Sequence, residues 1–177
     1  MIAIRRARAT DAAGIASVHV LTWRSAYAGV LPEKFLTNMS FARLTNQYER
    51  GIRLGQNVHV AVQTSPFTGP AILGFCTARK NRAEQLGQGE IETLYVLDDW
   101  QDRGIGGQLL KTAARNLAGQ GCRSAFAWVL RDNHAAFFYE RLGAKRIATS
   151  MTHVGGEEIP QTAYAWDPID SLLDVNA

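Results

Sequence analysis

Residues 101–107 read Gln-Asp-Arg-Gly-Ile-Gly-Gly and combine three features that bind anions. Glycines at 104, 106 and 107 let the backbone approach a ligand that a Cβ would hold off. They open a helical pattern, whose first N–H groups lack intrahelical partners and carry the positive end of the dipole. Arg103 adds a guanidinium. The sum is a cradle for phosphate or pyrophosphate, the alternative being a tight glycine turn with no ligand. Spacing narrows the ligand. A dinucleotide fingerprint requires G-x-G-x-x-G, and Leu109 stands where the third glycine belongs. The P-loop pattern G-x-x-x-x-G-K-S/T is absent. NAD and ATP are therefore both disfavoured. His19, His59, His134 and His153 lack metal-ligand spacing, so no metal site is expected. Ser124 and Cys122 lie outside any nucleophile elbow, because G-x-S-x-G is missing. A nucleophilic serine or cysteine is not expected.

The elements that must position this segment can be read from periodicity. Ile2–Ala7 predicts a first strand, and Thr10-Asp11 offers N-cap oxygens to a helix running to about Tyr27. Ser40 caps a further helix with Phe41, Leu44, Tyr48 and Ile52 on one stripe. Val58–Val62 and Ala71–Ala78 predict an antiparallel hairpin, connected through Ser65-Pro66 and Gly69-Pro70. Glu90–Leu97 is the next strand. The glycine segment follows it and leads into a helix over 103–118, with Ile105, Leu109, Leu110, Ala113 and Leu117 on its apolar stripe. Ala125–Leu130 is unbroken by polar residues, as suits a strand buried on both faces beside a parallel neighbour. Asn133–Leu142 predicts a helix closed by Gly143, and Thr149–Val154 and Ile159–Trp166 a hairpin around Gly155-Gly156. Pro160 must sit at a strand start or on an edge. Strand 90–97, helix 103–118 and strand 124–130 form one crossover, right-handed with parallel strands. The fold class is mixed α/β.

The 177 residues favour one domain, 1–177. Hydrophobic residues at 46% and charged residues at 20% exclude a disordered chain. Cys76 and Cys122 sit in apolar runs and read as buried small hydrophobes. No signal peptide or membrane run is evident, so a soluble cytoplasmic protein without membrane contact is expected. The net charge is only +3, and of the basic residues only Arg5, Arg6 and Arg8 cluster. Nucleic-acid binding, which needs a basic stripe, is not expected.

Two motifs in the right order carry a family resemblance. Gln101-x-x-Gly104-x-Gly106, after a strand ending Leu94-Tyr95-Val96, resembles the acetyl-CoA loop of the GNAT superfamily of N-acetyltransferases. Asn133-His-Ala-Ala-Phe-Phe-Tyr139-Glu-Arg-Leu-Gly143 resembles that family's helix after the fifth strand. The opening strand and helix and the closing Ala163–Trp166 strand fit as well, so the resemblance spans nearly the whole chain. It implies the acyl-CoA N-acyltransferase fold, a mostly antiparallel sheet with a central parallel pair splayed at the cofactor site. It implies acetyl-CoA as co-substrate. Backbone groups of Leu94, Tyr95 and Val96 would bond the pantetheine arm, and a bulge nearby would supply an N–H to the thioester carbonyl. Gln101, Asp102, Arg103, Gly104, Ile105, Gly106 and Gly107 would hold the pyrophosphate. Asn133 would bond the cofactor arm.

The same resemblance makes Tyr139 the candidate general acid, its phenol stabilising the departing thiolate. Packing against Leu142 is its other reading. The incoming amine must lose a proton, and Glu90 and Glu92 share one face of the fourth strand by alternation. Either is a candidate base, or a solvated strand residue. Trp23, Arg24 and Tyr27 lie where the family often walls its acceptor pocket, the alternative being aromatics that cap a helix against the core. The implied reaction is direct acetyl transfer to a primary amine. The alternative is a non-catalytic acyl-CoA-binding module, separated by turnover. The sequence leaves the acceptor and a homodimer open.

Overall fold

The structure is a computed structural model and describes residues 1–65, 69–83 and 85–175. The elements are β1 (Ile2–Arg6), α1 (Ala12–Ala26), α2 (Glu33–Thr37), α3 (Phe41–Arg53), β2 (Asn57–Ser65), β3 (Gly69–Lys80), β4 (Gly89–Val96), α4 (Ile105–Gly119), β5 (Ala125–Leu130), α5 (Ala135–Arg141), β6 (Lys145–Val154), β7 (Glu157–Trp166) and α6 (Asp170–Leu173). One seven-stranded sheet runs β1-β2-β3-β4-β5-β7-β6. Every pairing is antiparallel except β4 with β5, the pair joined through α4.

Two layers of helix cover the sheet. The predicted stripe of α4 (Ile105, Leu109, Leu110, Ala113, Leu117) is buried to 3% exposure or less and packs on one face with Cys76, Ile91, Ala125 and Ala127. On the other face Ile15, Ala16 and Val18 of α1 and Tyr48 of α3 pack on Val58, Val60 and Phe75. Ser40 does cap α3, its Oγ accepting from the Arg43 N–H at 3.2 Å. Leu44, Tyr48 and Ile52 join this second core, but Phe41 overhangs in the first turn at 48% exposure.

Asp11 works differently from a simple cap for α1. Its carboxylate accepts two bonds from Arg5, at 2.7 and 2.9 Å, and one from the Arg8 N–H at 2.7 Å. It thereby ties β1 to the 3-10 turn (Ala9–Asp11) that leads into α1. Burial pushes this carboxyl up, yet the bonds from Arg5 and Arg8 outweigh burial and hold it below the usual range. A depressed folded pKa gives stability that is present above the unfolded value, near 4, and lost as pH falls through the folded one. Asp11→Ala should cost about 1–2 kcal/mol at pH 7. Urea unfolding of both proteins should show that difference disappearing in strong acid.

Strand lengths differ from the sequence reading where polar residues pair. β2 and β3 continue past the apolar runs through Gln63↔Ala71, Thr64↔Pro70 and Ser65↔Gly69. Pro66 of the expected connection lies outside the described residues. Pro160 lies inside β7 rather than at its start. Its carbonyl accepts from the Arg131 N–H, beyond the last β5–β7 pair at Leu130↔Gln161, so its missing N–H faces a place where the β5 ladder has ended. β6 begins at Lys145, well before Thr149, as an edge strand with an extra residue at Ile147. Most of it is exposed, so no apolar alternation marks it. Gly155 and Gly156, both at positive φ, turn the last hairpin as expected.

Candidate active site

The parallel pair is short. β4 and β5 are bonded only through Gly89↔Ala125, Glu90↔Phe126 and Ile91↔Ala127. Beyond that point β4 stays with β3 as far as Val96, and β5 stays with β7 as far as Leu130. The two strands part like a V. The cause sits at Glu92. Ala78 faces Ile91 and Thr77 faces Thr93, so Glu92 is an extra residue bulged out of the ladder. A bulge bends its strand and frees the local backbone groups. It also resets the alternation. Leu94 and Val96 pack against the core under α4, while Tyr95 packs on the α1 side.

The V encloses a cleft of about 230 Å³, lined by Trp23, Tyr27, Glu92, Tyr95, Asn133 and Tyr139 among others. Its far wall is completed by Thr152 and Val154 of β6 and Gln161 of β7. Leu94 lines it as well, and no strand among the described residues pairs with β4 from Glu92 to Val96 on this side, the Val96 carbonyl accepting from Gln101.

The glycine segment lies between β4 and α4, after the last residue of the strand, Val96. Asp102 and Gly104 have φ of +56° and +75°, so the chain reverses twice before α4 begins. Only Gly104 does this without steric cost. The first bond of the helix runs from the Gln108 N–H to the Gly104 carbonyl at 3.1 Å. The N–H groups of Ile105, Gly106 and Gly107 donate to nothing among the described residues. A Cβ on Gly106 would lie 3.3 Å from the Phe138 ring, a tight contact where α4 packs on α5. Arg103 stands over the Trp100 ring at 4.8 Å. Gln101 turns inward, its amide donating to the Val96 carbonyl and to Asp98, both at 3.1 Å. Asp98 in turn accepts from Ser25 Oγ on α1. Gln101 therefore shapes the loop, and the exposed donors come from the backbone and Arg103.

Of the two carboxylates, one reaches the cleft. Glu90 lies where β4 and β5 are still paired, and one of its oxygens accepts two bonds from Arg79, at 3.0 and 2.8 Å. Glu92 shares that face, as alternation predicted, with Arg79 Nε at 3.0 Å from its other side. Glu92 lines the cleft and Glu90 does not. Burial pushes the Glu92 carboxyl up, Arg79 pulls it partly back, and the Glu90 charge pushes it up again, leaving it above the usual carboxylate range. Arg79 escaped the sequence reading, because its place opposite Glu90 depends on strand register.

Tyr139 projects from α5 into the inner end of the cleft at 5% exposure. Its ring stands edge-on to Trp166 at 5.4 Å, a packing partner other than the Leu142 expected, and it also lines the cleft. Its hydroxyl makes no hydrogen bond among the described residues. Burial raises its pKa, and neighbouring Cys76, Tyr95 and Tyr27 raise it further, so it is a neutral donor throughout the physiological range. Asn133 is engaged at both ends. Its Oδ1 accepts from the Ala135 N–H at 2.9 Å and caps α5, and its Nδ2 donates to the Tyr27 hydroxyl at 2.7 Å. That bond crosses the cleft mouth from α5 to α1. His19 stands behind this wall, its Nδ1 2.7 Å from the Tyr48 hydroxyl, and burial lowers its imidazole to about 4.

Known proteins resemble this chain. The family model described as the acetyltransferase (GNAT) family matches residues 22–144. A Bacillus subtilis protein named as the uncharacterized N-acetyltransferase YuaI is 28% identical over 173 residues, covering 97% of this chain and 96% of its own. An N-acetyltransferase structure from Staphylococcus aureus Mu50 superposes with a TM-score of 0.70 at 20% identity, over 94% of this chain and 98% of that one. The PaiA N-acetyltransferase of Thermoplasma acidophilum, solved in complex with coenzyme A, gives 0.67 at 21% identity, over 92% and 98% of the two chains. The mostly antiparallel sheet with one parallel pair is common ground with such structures.

Proposed function

The chain belongs to the GNAT acetyltransferase family, and from that premise we propose that it moves the acetyl group of acetyl-CoA directly to a primary amine. The observation that carries this reading is the open edge of β4, with unpaired N–H donors at one end and the unpartnered Tyr139 hydroxyl at the other. An extended amide-bearing arm fits such an edge as an added strand, and a diphosphate fits the helix N-terminus. The backbone of Leu94, Tyr95 and Val96 would hold the arm. The N–H groups of Ile105, Gly106 and Gly107, with Arg103, would hold the diphosphate.

Acetyl-CoA supplies an activated acyl carbon and a thiolate leaving group. The chain supplies the proton chemistry. Glu92, with its raised pKa, takes a proton from the entering ammonium and leaves the nucleophilic amine. Freed backbone at the bulge offers an N–H to the acyl oxygen as charge develops there. Tyr139, neutral and buried, donates its hydroxyl toward the departing sulfur. No serine or cysteine is asked to carry the acyl group.

Acetyl-CoA at 100 times its dissociation constant should stabilise the fold by about 2.7 kcal/mol, or roughly 5–10 °C for a chain of this size. NAD and ATP should give no comparable shift. A thermal-melt series tests this directly. An equal shift with all three ligands would reduce the glycine segment to a general anion site. Release of free thiol in the presence of an amine then distinguishes an enzyme from a module that only binds.

A further inference from the structure

One carboxylate stands where charge alone argues against it. Asp98 opens the 3-10 turn (Asp98–Trp100) that leads from β4 to the glycine segment. A negative charge bonded into a segment that would hold a diphosphate repels that ligand. Yet both oxygens of this carboxylate are engaged as acceptors. Oδ1 accepts from the Gln101 side-chain amide at 3.1 Å, and the Asp98 backbone carbonyl accepts from the Gln101 N–H, also at 3.1 Å. The same Gln101 amide donates to the Val96 carbonyl at 3.1 Å, so the turn closes back onto the last residue of β4. The second carboxylate oxygen, Oδ2, accepts from Ser25 Oγ. Ser25 lies in the last turn of α1, between Trp23 and Tyr27, which both line the cleft. Apolar contacts, which hold Ile15, Ala16 and Val18 of α1 on the sheet, are non-directional, whereas the Ser25 bond is directional. A chain of three side chains therefore runs from the end of α1 to the turn before α4.

Resting on the acetyl-transfer reading, we propose that Asp98 is a positioning residue that couples the two sides of the cleft. Through Gln101 it holds the turn that presents the Ile105, Gly106 and Gly107 N–H groups. Through Ser25 it ties that turn to the end of α1. A turn held before the ligand arrives spares the ordering that binding otherwise requires. This gain exceeds the repulsion from the carboxylate. Positioning and charge therefore have opposite signs in a test. Loss of the side chain weakens a diphosphate ligand if Asp98 positions the turn, and tightens it if the charge dominates.

Calorimetric titration with acetyl-CoA should show Asp98→Ala binding about tenfold more weakly, the loss expected when a hydrogen bond to a charged group is removed. Asp98→Asn removes the charge and keeps both bonds, its amide oxygen accepting from Gln101 and its amide N–H donating to Ser25. It should bind at least as tightly as the wild type. S-acetylpantetheine lacks the diphosphate, so its affinity should be the same for all three proteins. Ser25→Ala should weaken acetyl-CoA about threefold, and should have no effect beside Gln101→Ala, because the link runs through Gln101. The Ser25 and Gln101 variants keep the test decisive if Asp98→Ala does not fold. Equal or tighter binding of acetyl-CoA by Asp98→Ala would overturn the proposal, as would an Asp98→Asn protein as weak as Asp98→Ala. So would an equal loss for S-acetylpantetheine, or a Ser25→Ala effect that persists undiminished beside Gln101→Ala. These outcomes leave the acetyl-transfer reading standing. A wild-type protein that does not bind acetyl-CoA would overturn that reading, and this proposal with it.

Discussion

Tyr139→Phe should lower kcat by about 10²–10⁴-fold, the range expected when a positioned proton donor is lost, and leave the KM for acetyl-CoA close to its original value. The hydroxyl makes no hydrogen bond among the described residues, so its removal breaks none within the fold. The ring remains edge-on to Trp166 at the same place. Stability should therefore hold. Loss of activity at full stability and full cofactor affinity is a combination that a purely packing role cannot produce. Stopped-time thiol assays at saturating substrates, alongside melting with and without acetyl-CoA, measure all three quantities on one preparation. Unchanged kcat would remove Tyr139 from the chemistry and return it to the core.

Glu92→Gln should be the second large loss, about 10²–10³-fold in kcat/KM for the amine. Its diagnostic is the pH profile. The carboxylate must be ionised to accept a proton, so activity rises with pH through its pKa, which burial holds above the usual carboxylate range. The variant should lose that acidic limb and keep the limb belonging to the amine. Stability moves the other way. A carboxyl whose folded pKa is raised binds protons more readily folded than unfolded, so its ionised form opposes folding above that pKa. Gln at this position should leave the melting temperature equal or higher at pH 7. Glu90→Gln is the control, because Glu90 sits in the paired part of the sheet with Arg79 and does not line the cleft. A Glu90 variant that lost the acidic limb while the Glu92 variant kept it would exchange the two assignments.

What could be read from the chain, and what could not, follows from the range of each interaction. The α4 stripe, the glycine turn before it and the buried run Ala125–Leu130 are local patterns, and each stands where periodicity placed it. The crossover that joins β4 and β5 followed from handedness rules applied to those elements. The bulge at Glu92 is not local. Glu90–Val96 reads as plain alternation, which keeps Glu90 and Glu92 together but would put Thr93 and Tyr95 with Ile91. Only the register against β3 shows that Tyr95 crosses to the α1 side. The family resemblance implied a bulge near Leu94–Val96, and pairing puts it at Glu92. Arg79 and the bond between Asn133 and Tyr27 were illegible for the same reason. Each joins residues far apart in sequence, and nothing in residue type marks the partner. The edge strand β6 was cut short because its exposed residues follow no apolar pattern.

The cleft has two walls, and they come from different stretches of chain. The donor wall, from β4 through the glycine turn to α4, is one continuous segment. The facing wall is assembled from the end of α1, from β5 and the start of α5, and from the β6–β7 hairpin. Heritable change can therefore act on them separately. Substitutions around Trp23 and Tyr27, or a lengthened hairpin at Gly155-Gly156, can retune which amine is admitted while the acetyl donor is retained. A library that randomises Trp23, Tyr27, Thr152 and Val154 inherits the same separation, and so becomes the natural starting point for redirecting the enzyme to new amines.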